Sequence, residues 1–502
     1  FEVESGPTGN FSLFMPGPVQ FPQGDFATEE LRIWVMFTGG AAGTTDPGGV
    51  MTVVARDQFG TEVERWNNIP ILANSVARPT VAVALVLDES GSMLLDAGNN
   101  RIRINVLRDA AKTFVDQLYD DNAVTLISFA DSSQKLTDLT VAGALNSGVR
   151  GAARNEIDAH GPPNMAPLTS IGAGLQAAAA EFAASPIAGD FSVKATVVFT
   201  DGYQTRAPYI SDVAPLITER VYAVGIADAN NVRNDTLVEL ANNSNGYVLV
   251  TGALQQDDDF LLEKFFIQIL AGVTNQQMVS DPGGWLSPGT IARIPFSIAD
   301  SDIGFDALAL CRAPQQILIA LQAPDGTIID PSKLPPGDQR IGHQSNGFRV
   351  TLPVVVDGTG HWAGKWHLLM ALRFNQDDVG RTAMRTEAMA AFQAMTAQGR
   401  LRYEALVHAR SNLRLRARVE QDGFAPGATL SLHASLSEYG QPLANSATVI
   451  AIHTDPNGSS RQLVLSGVAP GEYQARVATM ISGAHRFRIK ASGLSARGQV
   501  FT

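Results

Sequence analysis

Cysteine is almost absent: Cys311 is the one thiol in 502 residues, so an internal disulfide framework is excluded. Next to the apolar run Ala307 to Leu310 it reads as a small buried hydrophobe on a strand, which leaves the redox compartment open. Charge is sparse too, with 17% charged against 45% apolar residues, an ordinary globular balance that excludes long disordered tails. Positive charge is the scarcer sign. A formal net charge of −12 offers nothing to nucleic acid or to anionic lipid and suits cation binding. No stretch approaches eighteen uninterrupted apolar residues. The nearest, Phe260 to Val273, is broken by Glu263, Lys264 and Gln268 and reads as an amphipathic helix, so no membrane span is expected in this chain. At Phe1 there is neither a basic segment nor an apolar one of the export type. The expectation is that any export signal has been removed and that the protein is secreted, on the cell surface or periplasmic. His-Glu-x-x-His, Gly-x-Ser-x-Gly and Walker motifs are all missing.

What is present divides into segments. At this length several hydrophobic cores are expected. Residues 1–80 are rich in Gly, Pro and Phe, with strand-like runs at Leu31 to Phe37, Met51 to Ala55 and Glu62 to Trp66 and a loop at Gly39 to Gly49. So short a segment is expected to pack on the later sandwich and not to fold alone. Residues 81–273 alternate buried strands with helices, the pattern of a doubly wound, Rossmann-like α/β sheet. Strands are expected at Val81 to Leu87, Ala123 to Phe129, Lys135 to Thr140, Lys194 to Thr200, Val221 to Ile226 and Tyr247 to Val250. Helices are expected at Ile104 to Leu118, Ser170 to Ala184, Ile210 to Glu219, Asp235 to Asn242 and Asp258 to Ala271. After Asp281-Pro282-Gly283-Gly284 the helical period disappears. Residues 279–410 then read as a β-sandwich, with a short helix expected between Arg381 and Gly399, and 411–502 as an immunoglobulin-like sandwich. The fold class is therefore multidomain, α/β plus all-β.

The chemistry gathers where the first buried strand ends, at Asp88-Glu89-Ser90-Gly91-Ser92, with a carboxylate and two hydroxyls on one turn. Hard oxygens of this kind suit magnesium, calcium or manganese. Thr169 opens the alanine-rich helix and Asp201 ends the strand Thr196 to Thr200, so both belong at the edge of a parallel sheet where ligands bind. Ser and Asp after a strand often do no more than cap the next helix, but capping leaves the Asp-Gly strand end and the Thr unexplained. Gly91 and Gly202 read as room for turns, Glu89 as a solvated side chain or an outlying base, and Gly172 and Gly174 as helix packing and not half a dinucleotide fingerprint. His361 and His367 read as core or edge residues, and Asp257-Asp258-Asp259 as an acidic helix start.

These three elements resemble the von Willebrand factor A family, whose metal-ion-dependent adhesion site uses Asp-x-Ser-x-Ser, a Thr and an Asp on three loops. The matching stretches are Asp88-Glu89-Ser90-Gly91-Ser92, Pro167-Leu168-Thr169-Ser170-Ile171 and Phe199-Thr200-Asp201-Gly202, and the match spans about 190 residues. The resemblance implies a divalent cation, magnesium first with calcium or manganese as alternatives, held by Asp88, Ser90, Ser92, Thr169 and Asp201. It also implies movement of the last helix, Asp258 to Ala271, on partner engagement. Thr169-Ser170-Ile171 with Gly172 and Gly174-Leu175 is similar to bacterial relatives of calcium-activated chloride channel regulators, which also place β-sandwiches after the A domain. Pro167-Leu168 departs from their two glycines, and their protease unit has no counterpart here.

Three functions compete. The first is an interaction or adhesion module in which a protein ligand presents an Asp or Glu to complete the metal's coordination. The second is a structural component of a surface or secreted assembly, with the metal only stabilising it. The third is a metal-dependent hydrolase, for which only Glu89 offers a base, so no enzyme activity is expected.

Overall fold

The computed structural model describes residues 1–13, 33, 35–37, 44–74, 80–98, 100–216, 220–226, 236, 240, 248–250, 260–274, 276–299, 302–311, 313–329, 341–344, 347–352, 354–356, 359–372, 400–423, 426–438, 441–443, 447–483, 485–495 and 500–501. The expected helix between Arg381 and Gly399 and the Asp257-Asp258-Asp259 run lie outside these residues, as does most of Asp235 to Asn242. The chain divides between Pro79 and Thr80 into two compact units.

In the first unit, Glu2–Ser5, Thr45–Arg56 and Glu62–Asn74 form an antiparallel sheet, beside a hairpin of Phe11–Leu13 and Val35–Phe37. The two long strands are joined by a turn in which Asp57 Oδ1 accepts from the backbone N–H groups of Phe59 and Thr61, with Gly60 at φ 83°. Part of the loop expected at Gly39 to Gly49 is strand instead. Thr45–Gly49 belongs to Thr45–Arg56, where register shifts around Pro47 and Val50 absorb the proline and glycines.

The second unit opens with the α/β domain. Its sheet runs Val248–Val250, Arg220–Gly225, Val193–Thr200, Val81–Asp88, Ala123–Phe129, Ser133–Lys135. Neighbours in the first five are parallel, and Ser133–Lys135 and Thr140–Val141 pair antiparallel to Ala123–Phe129. The polar strand expected at Lys135 to Thr140 is thus two short edge strands. Val81–Asp88 is buried along its whole length because both faces are covered. Val81, Val83, Leu85 and Leu87 face a core built with the helices Arg103–Gln117, Gly148–Ala159 and Leu261–Val273. Ala82, Ala84 and Val86 face a second core with the helices Ile171–Ala184 and Ile210–Val213. Gly172 and Gly174 explain themselves: a Cβ would stand 2.3 Å from the Pro208 carbonyl oxygen at the first and 2.6 Å from Val86 Cγ1 at the second. The helix Gly148–Ala159 had no counterpart in the sequence reading. Its buried residues are only Arg150, Ala153 and Ile157, too thin a stripe to read, and Arg150 turns inward to donate to the Leu118 and Gly143 carbonyls at 2.9 and 2.8 Å.

Two antiparallel sheets follow. One contains Gln277–Ser280, Leu401–Arg410, Gly304–Cys311, Gly347–Thr351 and Ile341–Gln344, with Gly283–Leu286 pairing on Leu401–Arg410. The other contains Ile291–Ile298, Gly364–Leu372, Ile317–Gln322 and Ile328–Ile329. They enclose one core, in which Phe296, Phe305 and Trp366 pack edge to face and the buried indole donates to the Trp362 carbonyl at 2.6 Å. Cys311 lies buried on its strand with its thiol pushed up to about 12 by burial, and His361 is a buried residue facing Asp325 at 3.5 Å. In the C-terminal segment the strand pairings fall in two groups that share the strand Ser460–Ala469. One continuous path runs Leu413–Gln421, Thr429–Glu438, Glu472–Ala478, Ser460–Ala469, Ala447–Thr454, Arg486–Leu494, Val500–Phe501 around a single core. The first part of Ser460–Ala469 pairs with Ala447–Thr454 and its end with Glu472–Ala478, so one strand carries the sheet around the bend.

The last helix of the α/β domain is covered on both sides. Leu262, Phe266 and Leu270 enter that domain's core, while Phe260 and Ile267 join Leu308, Leu310 and Leu406 of the sandwich. This double burial accounts for its high apolar content. Lys264 Nζ lies 2.9 Å from Glu404 Oε2 at the same junction.

Candidate metal centre

Strand register brings the acidic residues together. Leu87 pairs with Phe199 on adjacent parallel strands, so Asp88 and the Thr200-Asp201 step leave the sheet side by side at its C-terminal edge. Asp88, Thr200 and Asp201 have no exposed surface. Thr200 Oγ1 donates to Asp88 Oδ2 at 2.6 Å and the Ser90 N–H to Asp88 Oδ1 at 2.8 Å, which holds both carboxylate oxygens in place. Burial first, and the neighbouring Asp201 second, push the Asp88 carboxyl well above its ordinary range.

The hydroxyls sit on a loop clamped from two sides. Ser90 Oγ and Ser92 Oγ are 3.1 Å apart, the former buried and the latter half-buried. Ser90 bridges to Ala166, and the Gly91 N–H donates to the Ala166 carbonyl at 2.9 Å, which fastens this loop to the one carrying Thr169. Thr169 is buried; its N–H donates to Thr205 Oγ1 at 2.8 Å, and its carbonyl accepts from the Thr205 and Arg206 N–H groups. The loop after Asp201 is thereby tied to it as well. Gly202, at φ 85°, makes the turn that needs a glycine, whereas at Gly91 nothing lies within 3.8 Å of a Cβ, so room was not its reason. All five expected residues stand on three mutually bonded loops at one sheet edge. Ser170 caps its helix by accepting from the Ala173 N–H, so the capping role falls to Ser170, leaving Thr169 to other work.

Three neighbours escaped the sequence reading or were misread by it. Glu89 is not solvated: it is buried, and its Oε1 accepts from the Gly161 N–H at 2.6 Å. His160, also buried, donates from Nε2 to the Asp88 carbonyl at 3.1 Å and holds Nδ1 3.6 Å from Glu89 Oε1; burial keeps its pKa below the ordinary value, which favours the neutral ring. Arg103 is the least expected, a buried guanidinium whose Nη1 lies 2.8 Å from Asp201 Oδ2. No spacing rule points to it, because it reaches the site from the first turn of another helix.

Asp88 and Asp201 together with the Ser90, Ser92 and Thr169 hydroxyls would offer a hard-oxygen set of the kind that suits magnesium, calcium or manganese. Among the described residues no three His, Cys, Asp or Glu side chains cluster, so the site depends on its hydroxyls as much as on its acids.

The chain is similar to several known proteins. Solved structures similar to this chain include an aerotolerance-related membrane protein from Bacteroides fragilis, 19% identical over 38% of this chain and 99% of its own, with a TM-score of 0.32. A von Willebrand factor type A protein from Catenulispora acidiphila is 13% identical over 88% of this chain and 70% of its own, with a TM-score of 0.33. Proximal thread matrix protein 1 from the mussel byssus, with a zinc-occupied MIDAS motif, is 19% identical over 39% of this chain and 46% of its own, with a TM-score of 0.30. No curated protein matches the chain. The family profile of the von Willebrand factor type A domain matches residues 82–262, the span that holds the doubly wound sheet and all three loops, so the chain carries a von Willebrand factor type A domain.

Proposed function

We propose that this protein is a divalent-cation-dependent protein-interaction module, in which Asp88, Ser90, Ser92, Thr169 and Asp201 hold the ion and a partner's Asp or Glu completes its coordination. The observation that carries this reading is the convergence of two buried carboxylates and the Ser90–Ser92 hydroxyl pair on three bonded loops. A bound cation would supply a positive centre facing the half-buried Ser92 side. Around that side the chain exposes Leu94 and Leu95 just after Ser92, Ile102 at the start of the next helix, and Tyr203 just after Asp201. An apolar rim about a charged centre is the composition of a protein-binding surface, and it favours this reading over a metal that only stabilises the fold. Glu89, already engaged by Gly161, is poorly placed as the base that hydrolysis needs. Magnesium is the first choice of ion, and a secreted, surface or periplasmic setting the proposed location. Capture of partners from the native source on the immobilised chain, with and without chelator, tests the reading. Metal-dependent capture that vanishes in Asp88→Ala and Asp201→Ala proteins is expected. Capture indifferent to chelator and to both substitutions would leave the domain a scaffold.

A further inference from the structure

We infer that Arg103 is a resident counter-charge that weakens the site's grip on its cation and leaves the loaded site one charge more positive than it would otherwise be, which favours an acidic ligand. This rests on the cation reading proposed above. Arg103 is the first residue of the helix Arg103–Gln117, where a positive side chain opposes the helix dipole, and it is 5% exposed, where an unpaired charge would be costly. Its position is unfavourable twice over unless Asp201 compensates it. The pairing is specific: Nη1 reaches Asp201 Oδ2 at 2.8 Å, Nε donates to the Asp96 carbonyl at 3.3 Å, and the Arg103 N–H donates to the Leu95 carbonyl at 3.0 Å. The guanidinium thus connects the Asp201 loop to the segment just after Ser92.

Charge counting gives the consequence. Asp88 and Asp201 together carry two negative charges and a divalent ion would cancel them, leaving nothing to attract a partner's carboxylate. With Arg103 present, the loaded site keeps one positive charge more than it would without it. Glu89 is present in either case and drops out of the comparison. A buried charge so close to the ion's own ligand must reduce affinity for the ion and raise it for an anion.

Calorimetric titration of the full chain with Mg²⁺ and with Mn²⁺ at pH 8 tests this, comparing the unaltered protein with Arg103→Met, Arg103→Gln and Arg103→Lys. Met removes charge and donors, Gln keeps a donor without charge, and Lys keeps the charge. Met and Gln are expected to bind either ion about tenfold or more tightly than the unaltered protein, and Lys within about threefold of it. Acetate, as a carboxylate probe, is expected to tighten Mn²⁺ binding by the unaltered protein and to have little effect in Gln. Should Met fail to fold, Gln and the acetate titration of the unaltered protein still decide. Equal or weaker ion binding in Met and Gln would overturn the inference, since Arg103 would then only orient Asp201, and an acetate effect equal in both proteins would count against it too. Failure of the unaltered protein to bind either ion would instead sink the cation reading beneath it.

Discussion

At the level of single residues the site separates charge from geometry. In the proposed cation site, deleting Asp88 or Asp201 would remove a formal charge opposite a divalent ion, whereas deleting Thr169 would remove one neutral ligand. Asp88→Ala and Asp201→Ala are expected to lose cation binding by about a hundredfold or more, and Thr169→Ala by about tenfold, in the same calorimetric titration. The Asp88→Ala and Thr169→Ala folds should survive, because the strand beneath is apolar on both faces, whereas Asp201→Ala also leaves Arg103 buried without its partner and should cost about 3 kcal/mol of stability. Equal losses for all three would contradict this ranking. A second residue-scale outcome concerns Glu263 on the last helix, whose carboxyl is pushed up to about 7, mainly by burial and partly by Asp109, while the Thr113 hydroxyl bond at 3.0 Å and the charges of Arg101 and Lys112 oppose the shift. The folded chain therefore holds a proton that the unfolded chain gives up near its ordinary value of about 4.5, so this residue's contribution to stability falls as pH rises from there through about 7. Glu263→Gln should remove that fall and stabilise the protein at pH 8 by about 1–2 kcal/mol. Denaturant melts at pH 5 and pH 8 check it: an unchanged pH slope would mean that the carboxyl is solvated.

At the scale of elements, the last helix of the domain is where movement and rigidity compete. The family resemblance implies that this helix shifts on partner engagement, yet here Leu261–Val273 is covered on both sides and pinned by Lys264 to Glu404. Asp281, 3.6 Å from Lys264 Nζ and 3.0 Å from Arg488 Nη2, extends the ionic contact into the C-terminal sheet. The first helix is anchored at its far end as well. Arg349 of the sandwich donates to the Gln117 carbonyl at 2.9 Å and stacks over the Tyr119 ring at 4.0 Å, while Tyr119 donates to the buried Asp306 at 3.2 Å. The helix whose first residue is Arg103 is thus footed on the sandwich. Any shift of the last helix has to break a buried ion pair. Glu404→Ala should destabilise the chain by about 3 kcal/mol, because it leaves buried Lys264 with only the longer contacts to Asp281, at 3.6 Å to its carboxylate and 3.4 Å to its carbonyl, and the Lys264→Met, Glu404→Met double variant should recover most of the loss. Melts of the single and double variants decide, and a single variant as stable as the parent would remove the pin.

For the whole molecule, the proposed cation site lies entirely within the α/β domain, so a chain ending at Arg410 should bind Mg²⁺ within about twofold of the full chain. A large loss on truncation would mean that the C-terminal sheet shapes the site through Asp281 and Arg488. The N-terminal unit has the opposite standing. Among its described residues only Phe11, Met51, Val53, Val54 and Ala55 are buried apolar groups, a core too small to stand alone. A fragment of residues 1–79 is expected to melt without cooperativity. A sharp calorimetric transition in that fragment would refute it.

Much of this was legible in the chain itself, and the physical reason is locality. Val81–Asp88 reads as a buried strand because its residues are apolar in sequence, and Asp-x-Ser-x-Ser reads as a ligand turn because its oxygens are near neighbours along the backbone. The order of strands and helices likewise follows from periodicity. What sequence could not decide is whatever depends on approach through space. Arg103 meets Asp201 across 98 positions, and His160 reaches the Asp88 carbonyl across 72. The Gly148–Ala159 helix hides its inward arginine in a pattern that reads as surface, and Ser460–Ala469 pairs with Ala447–Thr454 along its first part and with Glu472–Ala478 at its end, a switch that alternation does not announce. Periodicity reports which face of an element is apolar and is silent on which other element covers it. Thus the ligand loops were written in the sequence, while the charge balance among them arises only when the helix and strands close on one another.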